Sequence, residues 1–383
     1  MRQGFSGRAA VAGIGMTALS RASGRSELAL AAEAARAALA DAAEATGGAA
    51  GTPDAILSYH LNDSAPVLYL ARELGITEIG WHNEIYGGGT QSASILADAS
   101  MLIDAGLART VLVYRALNGR SGKRMNALGL KLGEGTEEQF THPYGMAGPV
   151  HQFALAGQRY LYDTGLTDRH LHSVVAQSRA HAVRNPRALQ RRRLTLSDYL
   201  DSPMVASPLR RVDCCQETDG ACALVLTRAD LAPESPRVHA VVRGGGPGAS
   251  TMDRTDDVTR VFSAHVAAPL YEAAGMKPEQ IDVALLYDAY SWLIPRQLED
   301  FGLVGRPDLG VMLAAGEIAW NGRHPVNPHG GLLSEGYVHG LNNVAEAVRQ
   351  LRGTGTNQVK DAGVALCTGF GGSYGSAAIL TRP

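Results

Sequence analysis

A chain of 383 residues is long for one ordinary core and calls for two domains or a duplicated α/β unit. With 45% apolar and 19% charged residues the composition is globular, and a net charge of −2 from 35 basic and 37 acidic residues argues against nucleic acid or an anionic membrane as the main partner. No apolar run is long enough for a membrane span and no signal peptide is seen, so a cytoplasmic, reduced protein is expected.

Arg8 to Ile14 predicts a first strand, and the alanine-rich stretch from Glu27 to Thr46 a packed helix. A second strand begins at Asp54, and residues 67–74 suit a helix. Ile76 to His82 predicts a third strand. Tyr86-Gly87-Gly88-Gly89 then makes a tight turn, and Thr90 or Gln91 opens a helix running to about Ala105. Thr110 to Tyr114 follows as a strand. From Asn118 to Gln152 the chain loses periodicity; helical patterns return over Gln152–Gly165 and Leu171–Asn185. Arg191, Arg192 and Arg193 form a short basic run, either a solvated face or a contact for phosphates or a partner.

The four cysteines, Cys214, Cys215, Cys222 and Cys367, form no C-x-x-C pair, so no metal site is expected in this chain. The first three are most simply small buried apolar groups. Cys222 to Thr227 predicts a strand, and Pro233 to Pro236 a linker. A second α/β half begins at Val238. Its RGGGPGAS run is not a dinucleotide fingerprint, because the helix start and the acidic residue are missing. Leu270 to Gly275 ends a helix, and Val283 to Leu286 is an apolar strand followed at once by Tyr287-Asp288-Ala289-Tyr290. The run NGRHPVNPHGGLLSEGYVHG, Asn321 to Gly340, is too rich in proline and glycine for a regular helix or a central strand. It delivers Tyr337 to the front of a helix starting at Leu341 and ending at Gly353. A last apolar strand ends at Cys367 in the turn TGFGG. Strand ends and loops on a rigid sheet are where α/β proteins place chemistry, which singles out Tyr287, Tyr337 and Cys367. Each also admits a plain packing or capping role.

The order LYDAYS (Leu286–Ser291), NPHGGLLSEGYVHGLNN (Asn327–Asn343) and CTGFGG (Cys367–Gly372) resembles the C-terminal half of the thiolase family, with changed chemistry. Tyr287 stands where thiolases carry Asn or His, Tyr337 where they carry His, and Cys367 keeps their Cys. YGGGTQSAS (Tyr86–Ser94) lies where that family places its nucleophilic Cys at a helix N-terminus. No Cys is present there, and Tyr86 is the residue nearest the matching position. The chain is similar throughout to the thiolase-like steroid side-chain aldolases of the lipid-transfer-protein group. The resemblance implies a thiolase-like α/β fold: two similar βαβ halves, 1–235 and 236–383, in α-β-α-β-α layers with an inserted loop region about 118–200.

Without the nucleophile, acyl transfer is closed. A β-hydroxyacyl thioester still splits by a retro-aldol route that needs a base at the hydroxyl, an acid at Cα and stabilisation of the enolate oxygen. Tyrosine serves either proton task, and which of the two is base and which acid stays open. The resemblance implies catalysis by Tyr287 and Tyr337, with Cys367 a weaker candidate. It implies cleavage of a 17-hydroxy steroid carboxyl-CoA to a 17-ketosteroid and propionyl-CoA. Candidates for substrate binding are Tyr86, Gly87, Gly88, Gly89, His329, Gly330, Gly331, His339 and Gly371. No covalently bound cofactor is expected, coenzyme A entering as part of the substrate. A homodimer is expected, together with a small partner carrying a zinc ribbon and an OB-fold, so that zinc belongs only to that partner. A thiolase acting on another acyl-CoA, or a non-catalytic lipid or acyl-CoA carrier, are the other readings.

Overall fold

The computed structural model describes residues 7–122, 138–146, 148–246 and 255–383. Parts of the expected inserted region (123–137 and 147) and the end of the RGGGPGAS run (247–250) lie outside the described residues. The first part of the chain gives β1 (Ala9–Met16), α1 (Glu27–Thr46), β2 (Ala55–His60), α2 (Val67–Glu73), β3 (Trp81–Tyr86), α3 (Gln91–Asp104) and β4 (Thr110–Asn118). A helical segment follows with α4 (Glu138–Thr141), α5 (Pro149–Thr164), α6 (Asp168–Arg184) and α7 (Leu196–Leu200). Two short strands, β5 (Met204–Ala206) and β6 (Leu209–Arg210), form a separate ribbon before β7 (Asp219–Arg228). The rest holds β8 (Arg237–Gly245), α8 (Ser263–Ala274), β9 (Val283–Leu285), α9 (Leu293–Asp300), α10 (Leu309–Ala314), α11 (Gly331–Ser334), α12 (Leu341–Arg352), β10 (Val364–Phe370) and β11 (Tyr374–Thr381).

Among the described residues nine strands join edge to edge in the order β3-β2-β4-β7-β1-β8-β11-β10-β9. Parallel pairs at the two edges (β2 with β3 and β4, β9 with β10) flank an antiparallel centre (β7 with β4 and β1, β8 with β1 and β11, β10 with β11). Successive strand residues point to opposite faces, so each strand feeds two cores. Ala10, Ala12, Ile56, Leu112 and Ala223 pack under α1 and α2. Val11, Leu57, Val113 and Leu224 meet Ala365, Cys367 and Leu380 around α3 and α12. Ala240, Leu366 and Ile379 pack under α8 and α9 with the α5–α6 segment. The sheet therefore wraps the α3–α12 pair, with outer helices on each side: a layered, thiolase-like α/β arrangement.

Small residues set these distances. A Cβ on Gly13 or Gly15 would fall 2.1 Å from the Ala38 or Ala34 carbonyl oxygen of α1. The alanines of α1 and the glycines of β1 thus let helix and strand approach at backbone contact. Ser26 caps α1 by accepting from Ala29 N at 3.2 Å, and Gly47 ends it at φ 58°.

Two boundaries differ from the expected ones. The third strand is Trp81–Tyr86 rather than Ile76–His82, because Ile76 N bonds to Ala71 O at the end of α2 and strand pairing with β2 begins only at Trp81. The Pro/Gly run 321–340 also contains one helical turn, α11, which Asp288 nucleates by accepting from Leu332 N at 2.8 Å and Leu333 N at 3.3 Å. Gly331 is obligatory there: its φ is 61°, and a Cβ would lie 2.1 Å from Asp288 Oδ2.

Buried polar groups staple this loop to α12. Asn343 Nδ2 donates to Leu286 O at 3.1 Å, Asn342 Nδ2 to Glu335 Oε2 at 3.0 Å, and Arg187 spans Glu335 and Glu346 at 3.3 Å each. Below the Tyr290 segment, the buried Asp213 carboxylate accepts from Ser291 Oγ at 2.6 Å, Arg210 N at 2.8 Å and Tyr199 Oη at 3.0 Å. Burial, opposed by these hydrogen bonds, pushes its pKa up to about 6. A raised carboxyl pKa means the folded state holds the proton more tightly, so this contribution is full below pH ~4 and is lost as pH rises through about 6, on the order of 2–3 kcal/mol. Thermal melts should therefore show Asp213→Asn costing less stability at about pH 7.5 than at about pH 4.5. An equal cost at both would mean the carboxyl titrates normally.

Candidate active site

Tyr287 follows β9 directly, and its backbone is fixed from both sides. Its N–H donates to Thr368 Oγ1 at 2.8 Å, and its carbonyl accepts from Gln297 Nε2 at 3.0 Å. Thr368 in turn donates to Gln297 Oε1 at 2.6 Å, closing the loop. Tyr337 arrives from the glycine-rich loop, with its N–H donating to Thr218 Oγ1 at 3.0 Å. The two side chains then meet: the hydroxyls are hydrogen-bonded at 2.8 Å and the rings lie edge to face at 6.2 Å. Tyr287 is 1% exposed, whereas Tyr337 keeps 8%. Burial raises both phenols well above the ordinary tyrosine value, and the link to Tyr337 partly offsets this for Tyr287 while raising Tyr337 further. At neutral pH the pair is two neutral hydroxyls sharing a hydrogen bond.

The turn before α3 closes over this pair. A Cβ on Gly89 would sit 2.1 Å from Tyr287 Oη, so Gly89, not Tyr86, faces the hydroxyls. Tyr86 ends β3 with its ring 68% exposed and edge-on to His60. Gly88 borders His339, and Gly87 packs on Gln91. Gly371 lies across the first turn of α3, its Cβ position 2.1 Å from Thr90 Cγ2. An aromatic wall completes the surroundings: Phe370 is 6.0 Å from Tyr287 and 4.8 Å from Phe153, which is 5.4 Å from Tyr290.

The remaining candidates make packing and loop contacts. Cys367 is fully buried in β10, opposite Leu285 and Ala378, in the core shared with α3 and α12. Burial alone pushes its thiol far up. His329 is buried, with Nε2 3.1 Å from Asn343 Oδ1. Gly330 packs on Ala182 and Ser178 of α6, beside Gly331 at the Asp288 turn. Cys222 is fully buried as expected, but Cys214 and Cys215 are only partly buried, because they run alongside Tyr290 and Ala289 at the edge of the aromatic wall. Sequence reasoning passed over Thr218, Gln297 and Thr368, which hold the tyrosine backbones, and Arg115 and Asp63, which hold His339; all are ordinary residues in sequence, and only chain folding gives them partners. Among the described residues no three His, Cys, Asp or Glu side chains gather as a metal site, and no helix is long and apolar enough to cross a membrane.

Residues 246–381 match the family described as thiolase C-terminal domain-like. The chain is 37% identical to the 17-hydroxy-3-oxo-4-pregnene-20-carboxyl-CoA lyase of Mycobacterium tuberculosis, over 98% of this chain and 100% of that protein. The chain belongs to the thiolase-like steroid side-chain-cleaving aldolases. The steroid side-chain-cleaving aldolase of Thermomonospora curvata is 35% identical over 98% of each chain. The solved structure of the Ltp2-ChsH2(DUF35) aldolase superposes with a TM-score of 0.90 at 34% identity, covering 99% of this chain and 98% of that one. These aldolases are lyases built on the thiolase fold, and human mitochondrial 3-ketoacyl-CoA thiolase shares that fold at a TM-score of 0.70 and 15% identity.

Proposed function

We propose that this aldolase splits a 17-hydroxy-3-oxo-pregnene-20-carboxyl-CoA into a 17-ketosteroid of the androstenedione type and propionyl-CoA, with Tyr287 and Tyr337 as the proton-transfer pair. The near full-length similarity to proteins named for this chemistry supports the substrate class. The observation that carries the mechanism is the 2.8 Å hydroxyl–hydroxyl bond between two buried tyrosines. Retro-aldol cleavage moves one proton, from the substrate hydroxyl to Cα. As the Cα–Cβ bond breaks, its electrons form the thioester enolate and the hydroxyl oxygen becomes the ketone. One phenol oxygen accepts the hydroxyl proton while passing its own to its partner, which delivers a proton to Cα. Each tyrosine ends as neutral as it began. Raised phenol pKa values suit such a relay, because neither hydroxyl has to exist as a free phenolate. The aromatic wall of Phe153, Tyr290 and Phe370 offers apolar surface to a polycyclic ring system.

In this reading coenzyme A is part of the substrate and no covalent cofactor takes part. The chain divides at about 235 into two thiolase-like halves. It works as a homodimer bound to a small partner with a zinc ribbon and an OB-fold, the zinc staying in the partner. The exposed edge strand β3, with Trp81 44% exposed, supports pairing across a two-fold axis, since an open edge leaves backbone groups unpaired. Light scattering at micromolar concentration should give a dimer; a fully active monomer without the partner would sink the assembly.

The function is tested by incubating the steroid acyl-CoA with the chain, alone and with the co-purified partner, and identifying products by mass. A 17-ketosteroid and propionyl-CoA in equal amounts is the expected result. Ligand binding without turnover in both cases would favour a carrier. Cys367→Ala should keep the cleavage rate within a few-fold while lowering stability by about 1 kcal/mol, because its thiol is a fully buried core group and the relay makes no use of it. A rate loss matching the tyrosine variants would return Cys367 to the chemistry.

A further inference from the structure

Two residues past Tyr337 the backbone turns through His339 at φ 48°, a left-handed conformation unusual outside glycine. The imidazole is fully buried, 4.8 Å from the Tyr337 ring and nearly perpendicular to it. Arg115 of β4, also fully buried, aims two N–H groups at His339 Nδ1, Nε at 3.0 Å and Nη2 at 2.8 Å. Asp63 secures that guanidinium at 2.6 Å, and Tyr59 Oη donates to the His339 carbonyl at 3.0 Å. The histidine is thus held through both its ring and its backbone.

A guanidinium has donors only, so Nδ1 must be the acceptor and a neutral ring carries its proton on Nε2. Burial, and then the Arg115 charge, lower the imidazole pKa to about 3, which keeps the ring neutral across the physiological range. Nε2–H is the end left over. It is buried and has no acceptor among the described residues. It borders the turn before α3, where a Cβ on Gly88 would lie 3.6 Å from Nε2, and the next residue, Gly89, abuts the Tyr287 hydroxyl. A buried donor without an acceptor is destabilising, and three further side chains are committed to holding this one in place. For a purely structural histidine, the Nδ1 contact would be enough.

We propose that His339 Nε2–H is the hydrogen-bond donor for the thioester oxygen of the substrate, holding the negative charge that gathers there as the enolate forms. The proposal rests on the retro-aldol reading above and divides the labour within it: the tyrosines carry the proton, and His339 receives the charge. A neutral imidazole suits the task, since it stabilises an enolate oxygen without protonating it. Arg115 and Asp63 are positioning residues that fix the tautomer; they do not touch the substrate.

Two variants separate the donor from the scaffold. In His339→Asn the side-chain oxygen replaces Nδ1 as acceptor for Arg115, asparagine tolerates the left-handed backbone, and the Nε2 donor is gone. In His339→Gln the amide nitrogen replaces Nε2 as donor and the Nδ1 acceptor is lost. Single-turnover cleavage by His339→Asn should fall by roughly 10²- to 10³-fold with KM little changed and a melting temperature near that of the wild type. Exchange of the Cα protons of propionyl-CoA with D2O, followed by NMR, should slow by the same factor. His339→Gln should be less stable yet retain more of both rates. Wild-type cleavage and exchange rates in His339→Asn, with the loss confined to His339→Gln, would overturn the donor role while leaving the aldolase reading standing. Absence of cleavage by the wild-type protein with its partner would instead remove the aldolase reading, and this proposal with it.

Discussion

Tyr287→Phe and Tyr337→Phe are each expected to lower single-turnover cleavage by roughly 10²- to 10⁴-fold, the range of general acid–base catalysis. The rings stay, so the edge-to-face contact and the packing on Phe370 survive. Only the hydroxyls joined at 2.8 Å are removed. If one proton passes through both oxygens, losing either breaks the same relay. The double variant should therefore be little slower than the slower single one. Substrate affinity should change far less than the rate. Near-wild-type rates in both single variants would leave a carrier as the better reading, and fully additive losses would mean two independent proton transfers.

Gly89→Ala should be as damaging, by a different route. The added Cβ would fall 2.1 Å from Tyr287 Oη and 2.2 Å from Cζ, closer than non-bonded atoms come. Tyr287 has little room to retreat: it is 1% exposed, and Gly340 also packs directly on its ring. Gly89 has no left-handed φ, so the clash rather than backbone strain carries the effect. Overpacking of this kind typically destabilises by about 1–3 kcal/mol, and here it also displaces a phenol of the relay. Cleavage should fall at least as far as in Tyr287→Phe. Combining Gly89→Ala with Tyr287→Phe should recover only a small part of the stability, because the hydroxyl is gone but Cζ stays 2.2 Å from the added Cβ, and none of the activity. Thermal melts and single-turnover rates on the four proteins of this cycle test it; additive stability losses would show that the two groups do not meet. The same geometry bears on the absent nucleophile. The space a cysteine side chain would need at Gly89 is filled by Tyr287.

Much of the architecture is local and could be read directly. The α1 helix over Glu27–Thr46 announces itself through alanine content, and α12 through the stop at Gly353. Strands such as β4 and β10 carry apolar runs, Val111–Tyr114 and Val364–Cys367, as strands buried on both faces do. β3 starts five residues later than its apolar character suggests, because pairing with β2 decides where it begins; its side chains are mostly exposed.

The α/β class, the serial order of three loop motifs and the absence of a cysteine at the turn before α3 are legible without coordinates, since composition, periodicity and residue identity are properties of the chain alone. Which groups meet follows only from how the chain folds. Tyr287 and Tyr337 stand 50 residues apart, and Arg115 and His339 stand 224 apart. No local pattern encodes a contact at such separations. That Gly89 rather than Tyr86 faces the hydroxyls was likewise invisible, because a glycine's role is set by what occupies the space its missing side chain leaves, and here that is a tyrosine delivered by a distant strand.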